Sequence, residues 1–110
     1  MKCLSHYRVM WIFAFFDLPV TTKKERREAT KFRNHLLDLG FDMVQFSVYS
    51  KVCPNKEKVK TLKRRIFFQL PPNGKVDLLT VTDKQFGNIL SFRGKKDKKL
   101  PKKSNQLILF

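Results

Sequence analysis

Residues Val9 to Asp17, VMWIFAFFD, constrain the fold of this chain more than any other stretch. Side chains alternate across a strand, so Met10, Ile12, Ala14 and Phe16 share one face and Val9, Trp11, Phe13 and Phe15 share the other. Both faces are apolar, and such a strand must be covered on both sides. The run ends on a carboxylate, Asp17, and Leu18-Pro19 then stops it, because proline has no N–H to give a ladder.

Two helices are available as cover. Thr22-Lys23-Lys24-Glu25 fits a capping box, and the helix it opens runs to about Leu39, with Ala29, Phe32, Leu36 and Leu39 on one stripe and Gly40 as its stop. Pro54-Asn55 opens a second helix over Lys56 to Gln69, striped by Val59, Leu62, Ile66 and Leu70 and ended by Pro71-Pro72-Asn73-Gly74. Between them Phe41 to Cys53 alternates as a strand long enough to bend into two pairing segments. Its apolar face is Val44, Phe46, Val48 and Val52; Met43, Gln45, Ser47, Tyr49 and Lys51 form a polar-aromatic one. Val76 to Thr82 and Phe86 to Phe92 read as strands around a turn at Asp83-Lys84.

The order is β-α-β(β)-α-β-β, an α+β chain whose two helices cover one face of a sheet. Residues 1–92 form the domain with its short lead-in. Residues 93–110 form a basic linker and a terminal strand, Gln106 to Phe110 (QLILF). No further element is left for the second face of the first strand. A homodimer packed sheet to sheet is therefore expected, with the arm residues Leu107, Ile108 and Leu109 pairing with the partner. Its interface is expected to include Trp11, Gln45, Ser47 and Tyr49.

At 110 residues with 24 Lys+Arg against 9 Asp+Glu, the net charge of +15 calls for a polyanionic partner. Nucleic acid is the first candidate, ahead of a membrane surface, since no anchor helix or spanning segment is present. Lys23 to Arg33 carries six basic residues, Lys51 to Arg65 seven and Arg93 to Lys103 seven. Three such segments fit a duplex backbone tracked by phosphate contacts, with Lys23, Arg26, Arg27, Lys31, Arg33, Lys51, Arg64, Arg65, Lys95 and Lys96 as the contact set. Contacts of this kind position DNA without reading its bases.

Little else carries chemistry. Cys3 and Cys53 have no metal-ligand spacing and read as reduced thiols of a cytoplasmic protein. His6 and His35 stand alone, and no Ser-His or His-Asp constellation is present. From its own residues, Asp17 is a turn-forming carboxylate.

The FFDLP strand end, the helix ERREATKFRNHLLDLGF, the strand MVQFSVYSK, and LLTVTDKQF followed by a basic tail and QLILF together resemble the CRISPR-associated protein two family. The likeness runs from Arg8 to Phe110. It implies a ferredoxin-like βαββαβ fold with an added terminal strand in a sheet-to-sheet homodimer. It also implies a spacer-acquisition subunit that bridges dimers of the integrase, CRISPR-associated protein one, across duplex DNA. Many members are metal-dependent endonucleases on RNA or DNA, and the family's catalytic and metal-binding aspartate falls on Asp17. One aspartate cannot hold a catalytic ion alone, but two copies facing a two-fold axis share a Mg²⁺ or another divalent cation with waters completing its shell. Ser47 and Tyr49 serve as dimer contacts or sheet-face hydrogen-bonding groups, or place a water or phosphate near Asp17. Two alternatives stand beside this reading: a stand-alone endoribonuclease or DNase, and a recognition-motif sheet binding single-stranded RNA through Trp11, Phe13 and Phe15.

Overall fold

The computed structural model describes residues 9–94. The chain runs β1 (Met10–Asp17), α1 (Lys23–Asp38), β2 (Asp42–Gln45), β3 (Val48–Cys53), α2 (Lys56–Phe68), β4 (Lys75–Thr82) and α3 (Asp83–Gly87). The sheet order is β2-β3-β1-β4 and every pairing is antiparallel. This is the ferredoxin-like arrangement the sequence implied. The terminal strand, the basic linker beyond Gly94 and the sites at Lys95, Lys96, Leu107, Ile108 and Leu109 lie outside the described residues.

Local chemistry sets each helix end. Thr22 Oγ1 accepts from the Glu25 N–H at 3.1 Å, and Glu25 Oε1 accepts from the Thr22 N–H at 3.0 Å, closing the anticipated capping box. Asn55 Oδ1 accepts from the Lys58 N–H at 2.9 Å and starts α2 the same way. Gly40 follows the C-cap of α1 at φ +98°, a conformation that costs other residues a Cβ clash.

The core lies between the helices and one face of the sheet. Ile12, Ala14 and Phe16 of β1 meet Phe32 and Leu36 of α1 and Val59, Leu62 and Ile66 of α2. Phe16 and Phe32 meet edge to face, ring centroids 5.4 Å apart. The α1 stripe is buried as expected, but Leu70 is not part of the α2 seam: it follows the helix end and is 42% exposed.

Three further expectations change. The long strand does bend into β2 and β3, yet its faces are the reverse of the anticipated ones. Tyr49 pairs with Ala14 and Cys53 with Met10, so both point at the helices and are buried, while Val44, Phe46 and Val52 are exposed. The physical reason is register: pairing Tyr49 with Ala14 and Cys53 with Met10 puts that parity of β3 on the helix side, and sequence alternation alone does not choose between the two faces. Tyr49 is thus enclosed by its own protomer and is not a dimer-interface residue.

The segment after β4 is neither a turn at Asp83-Lys84 nor a strand over residues 86–92. Asp83–Gly87 is a short helix with its own capping box, Thr82 Oγ1 accepting from the Gln85 N–H and Gln85 Oε1 from the Thr82 N–H. This helix also answers the question of cover. Phe86 lies flat on Trp11, ring centroids 3.6 Å apart and planes 2° from parallel, and reaches Phe13 at 5.8 Å. Trp11 Nε1–H donates to Asp83 Oδ1 at 2.7 Å, which fixes α3 over the start of β1. The chain therefore covers part of its second sheet face itself, over Trp11 and Phe13. Among the described residues Phe15 stays 37%, Val52 43% and Leu79 49% exposed on that face.

Candidate active site at the end of the first strand

Asp17 closes β1 on the face opposite the helices, in line with Trp11, Phe13 and Phe15. Its register partner across the β1–β4 ladder is Lys75, and Phe15 is opposite Asp77. Residues paired across an antiparallel ladder share a face, so Asp17, Lys75 and Asp77 are grouped on one patch of sheet. The Lys75 ammonium and the Asp77 carboxylate form an ion pair at 3.5 Å, with both side chains largely exposed. An open cleft of about 360 Å³ is lined by Phe15, Phe16, Asp17, Ser47, Val48, Lys75 and Asp77.

Two backbone devices hold this cleft in shape. Ser47 sits in the β2–β3 turn at φ +64°, a left-handed position uncommon for a residue with a side chain. Its carbonyl accepts from the Phe16 N–H at 3.0 Å, which ties the turn to the last residues of β1. On the other side Gly74 adopts φ +102° just ahead of β4. A Cβ placed on it would come within 2.9 Å of the Asp17 carbonyl oxygen and 2.7 Å of Leu18 Cδ2. Glycine is required there both for its backbone angle and for the close approach, and that approach brings Lys75 opposite Asp17.

The sequence pointed to Asp17 and to Ser47, and the fold brings them to one cleft. Lys75, Asp77 and Gly74 were missed because they lie far along the chain and meet Asp17 only through β1–β4 pairing. The one signal available was Asn73-Gly74, a turn pair read only as the end of α2.

The remaining predicted residues divide by face. Gln45 pairs with Val48 on the open side of the sheet and is exposed. Trp11 is half-buried under Phe86, and with Phe13 buried as well, only Phe15 of the three aromatics on this face of β1 is exposed. A recognition-motif sheet needs such aromatics free for stacking bases, so this placement weighs against that alternative.

The basic residues gather on the helix side. Lys23, Arg27 and Lys31 are exposed along α1, and Arg27 and Lys31 line a groove of about 510 Å³ with Asn34, His35 and Gln69. Lys51 crosses from β3 to line a second groove, about 320 Å³, with Lys58 and Arg65 of α2. Arg64 is exposed beside them. Arg26 and Arg33 have local duties. Arg26 Nη1 donates to the Val20 and Thr21 carbonyls at 3.1 and 3.0 Å, and Arg33 Nη2 donates to Thr30 Oγ1 at 3.2 Å.

Among the described residues no group of three or more His, Cys, Asp or Glu side chains could hold a metal ion. Asp17 nevertheless supplies hard oxygen donors in an open cleft, where Asp77 beside it is ion-paired with Lys75. Mg²⁺ keeps most of its waters and is held by one or two carboxylates, so this donor set fits that ion better than one needing a full protein cage. No helix among the described residues is long and apolar enough to cross a membrane. Burial pushes the Cys53 thiol above its ordinary 9.0, against a smaller opposite pull from Lys51.

The family described as "CRISPR associated protein Cas2" matches residues 10–89. A protein of Flavobacterium psychrophilum named "CRISPR-associated endoribonuclease Cas2" is 48% identical over 107 residues, covering 97% of this chain and 93% of that protein. A protein of the same name from Paracidovorax avenae is also 48% identical over 107 residues, covering 97% of this chain and 99% of its own. Among solved structures, one titled "Crystal structure of cas2" superposes with a TM-score of 0.55 at 17% identity, covering 92% of this chain and 99% of that one. That last likeness concerns the fold alone.

Proposed function

The chain belongs to the CRISPR-associated protein Cas2 family, and from that premise we propose that it is a spacer-acquisition subunit combining a duplex-DNA surface with a phosphodiesterase cleft at Asp17. The observation that carries the reading is the placement of Asp17. It stands exposed at a strand end, in an open cleft with Lys75 and Ser47, beside an uncovered apolar sheet face. The relatives' name, endoribonuclease, is consistent with such a cleft.

Asp17 would hold a divalent cation; Asp77, the other carboxylate of this cleft, is taken up by Lys75. Across a two-fold axis over the open face, the second copy of Asp17 would complete the donor pair. A bound Mg²⁺ would supply Lewis acidity to a water and to the leaving oxygen. The Ser47 hydroxyl lines the same cleft and is suited to orient a phosphate or that water. The homodimer itself is supported by Phe15, Val52 and Leu79, apolar side chains on the open sheet face that stay exposed among the described residues.

The helix side serves a different purpose. Lys23, Arg27, Lys31, Lys51, Arg64 and Arg65 offer phosphate contacts on the face away from Asp17, where a duplex can lie while dimers of the integrase hold its ends. Six such contacts would cost about 10³ in affinity between low and moderate salt, because each releases condensed counterions.

The test uses purified protein and its Asp17→Ala variant on labelled RNA and duplex DNA, with Mg²⁺ and with EDTA. Cleavage by the wild type that is lost with either change supports the cleft as an active site. Cleavage surviving Asp17→Ala removes that role. Duplex affinity that barely changes with salt would remove the backbone-binding surface, and failure to co-purify with the integrase would remove the bridging role.

A further inference from the structure

We infer that Lys75 is the phosphate-holding cation of the Asp17 cleft, and that Asp77 is the internal counter-ion that competes with substrate for it. The inference rests on the reading of Asp17 as a phosphodiesterase site and adds residues to it. A carboxylate that holds a metal does not by itself draw a polyanion in; its own charge repels the phosphates it must act on. A cation at the same place corrects this, and the β1–β4 register sets Lys75 directly opposite Asp17.

Three further observations support the assignment. Gly74, immediately before Lys75, is pressed against the Asp17 carbonyl in a conformation that glycine favours, so the neighbourhood of the two residues is built into the backbone. Lys75 and Asp77 line the same cleft as Asp17 and Ser47. The Lys75–Asp77 pair is long, 3.5 Å, and the two side chains are 77% and 61% exposed. An exposed pair of this kind is weak, so it can be exchanged for a phosphate at small cost. The basic residues of α1 and α2 lie on the other face of the sheet and cannot take this part. Lys75 makes an ammonium-to-oxygen contact with a non-bridging phosphate oxygen, and no bond is made or broken at it.

The test measures cleavage kinetics on a fluorescein-labelled single-stranded RNA and on a duplex DNA of the same sequence. The variants are Lys75→Gln, Lys75→Arg and Asp77→Asn. Lys84→Gln, on α3, is the control for net charge. Losing one charge-assisted contact should raise KM about tenfold while kcat moves less than about threefold. Lys75→Arg should recover most of the loss, and Asp77→Asn should lower KM by releasing Lys75. Affinity for the same oligonucleotides in EDTA gives a readout independent of cleavage and should fall for Lys75→Gln but not for Lys84→Gln.

If Lys75 is only a surface partner of Asp77, both variants leave KM and EDTA affinity unchanged, and the inference is overturned. A fall in kcat with KM intact overturns it as well. Absence of cleavage in the wild type removes the Asp17 reading instead, and the EDTA affinities still decide whether Lys75 holds phosphate.

Discussion

Phe86 lies on Trp11 with ring centroids 3.6 Å apart and planes within 2° of parallel, and this stack covers part of the sheet face that the helices leave open. A five-residue helix too short to be stable alone is thereby fixed to the start of β1. Its anchor is double, since Trp11 also donates to Asp83.

Removing that ring should be costly. Phe86→Ala loses a half-buried aromatic and its stacking, about 2 kcal/mol together. Urea unfolding should show a lower midpoint with an unchanged slope. Trp11 fluorescence should shift to the red as the indole gains water. A midpoint equal to that of the wild type would show that α3 does not contribute to global stability.

The two left-handed glycines should respond unequally to the same change. At Gly74 an added methyl meets Asp17 and Leu18, whereas at Gly40 it meets only the flexible end of Lys51. Gly74→Ala should destabilise by about 2–4 kcal/mol, combining backbone strain with overpacking. Gly40→Ala should cost about 1–2 kcal/mol, from strain alone. Gly74→Ala should also impair the Asp17 cleft while Gly40→Ala leaves it intact. Equal thermal shifts for the two variants would contradict the close approach at Gly74.

The open part of the sheet face makes a prediction about assembly. Leu79, the register partner of Phe13, is 49% exposed on this face. Leu79→Asp places a charge at a surface that a two-fold partner would dry, and should weaken dimerisation by at least about a hundredfold. Light scattering should then report a monomer for the variant and a dimer for the wild type. A monomeric wild type at the same concentration would refute sheet-to-sheet assembly.

Cys53 links burial to pH. Its thiol is held above 9.0 in the fold, so above that pH the unfolded chain has lost a proton that the native chain keeps. The unfolded state then binds fewer protons, and stability falls as pH rises from about the ordinary value toward the folded one. Below that window the thiol is neutral in both states and contributes no pH dependence. Cys53→Ala should show a shallower fall in unfolding free energy above pH 9.0 than the wild type, compared as slopes. In a Cys3→Ser background, native Cys53 should also react with an alkylating agent only as the protein opens. Rapid alkylation of the folded protein would contradict its burial.

Much of this molecule is written in short-range pattern. Both long helices begin and end at the capping residues that the sequence offers, because capping depends on neighbours three positions apart. The stripe Ala29, Phe32 and Leu36 is buried because helical spacing leaves those residues no other face. The double-sided apolarity of β1 called for cover on both faces, and α3 supplies it over Trp11; the charge excess places basic side chains along both helices.

What tertiary structure alone decided concerns parity and long-range register. Alternation in Phe41 to Cys53 is equally regular whichever face turns inward, and only packing against Ala14 and Met10 sent Tyr49 and Cys53 to the core. The Thr82–Gln85 capping box was present in the sequence, but its consequence, Phe86 lying on Trp11, depends on β4 being paired with β1. The same pairing brings Lys75 to Asp17 across 58 positions of chain, a proximity set by the ladder and by Gly74 rather than by local sequence. Family resemblance singled out the aspartate; the β1–β4 register set a cation and a second carboxylate beside it, and the β2–β3 turn added Ser47.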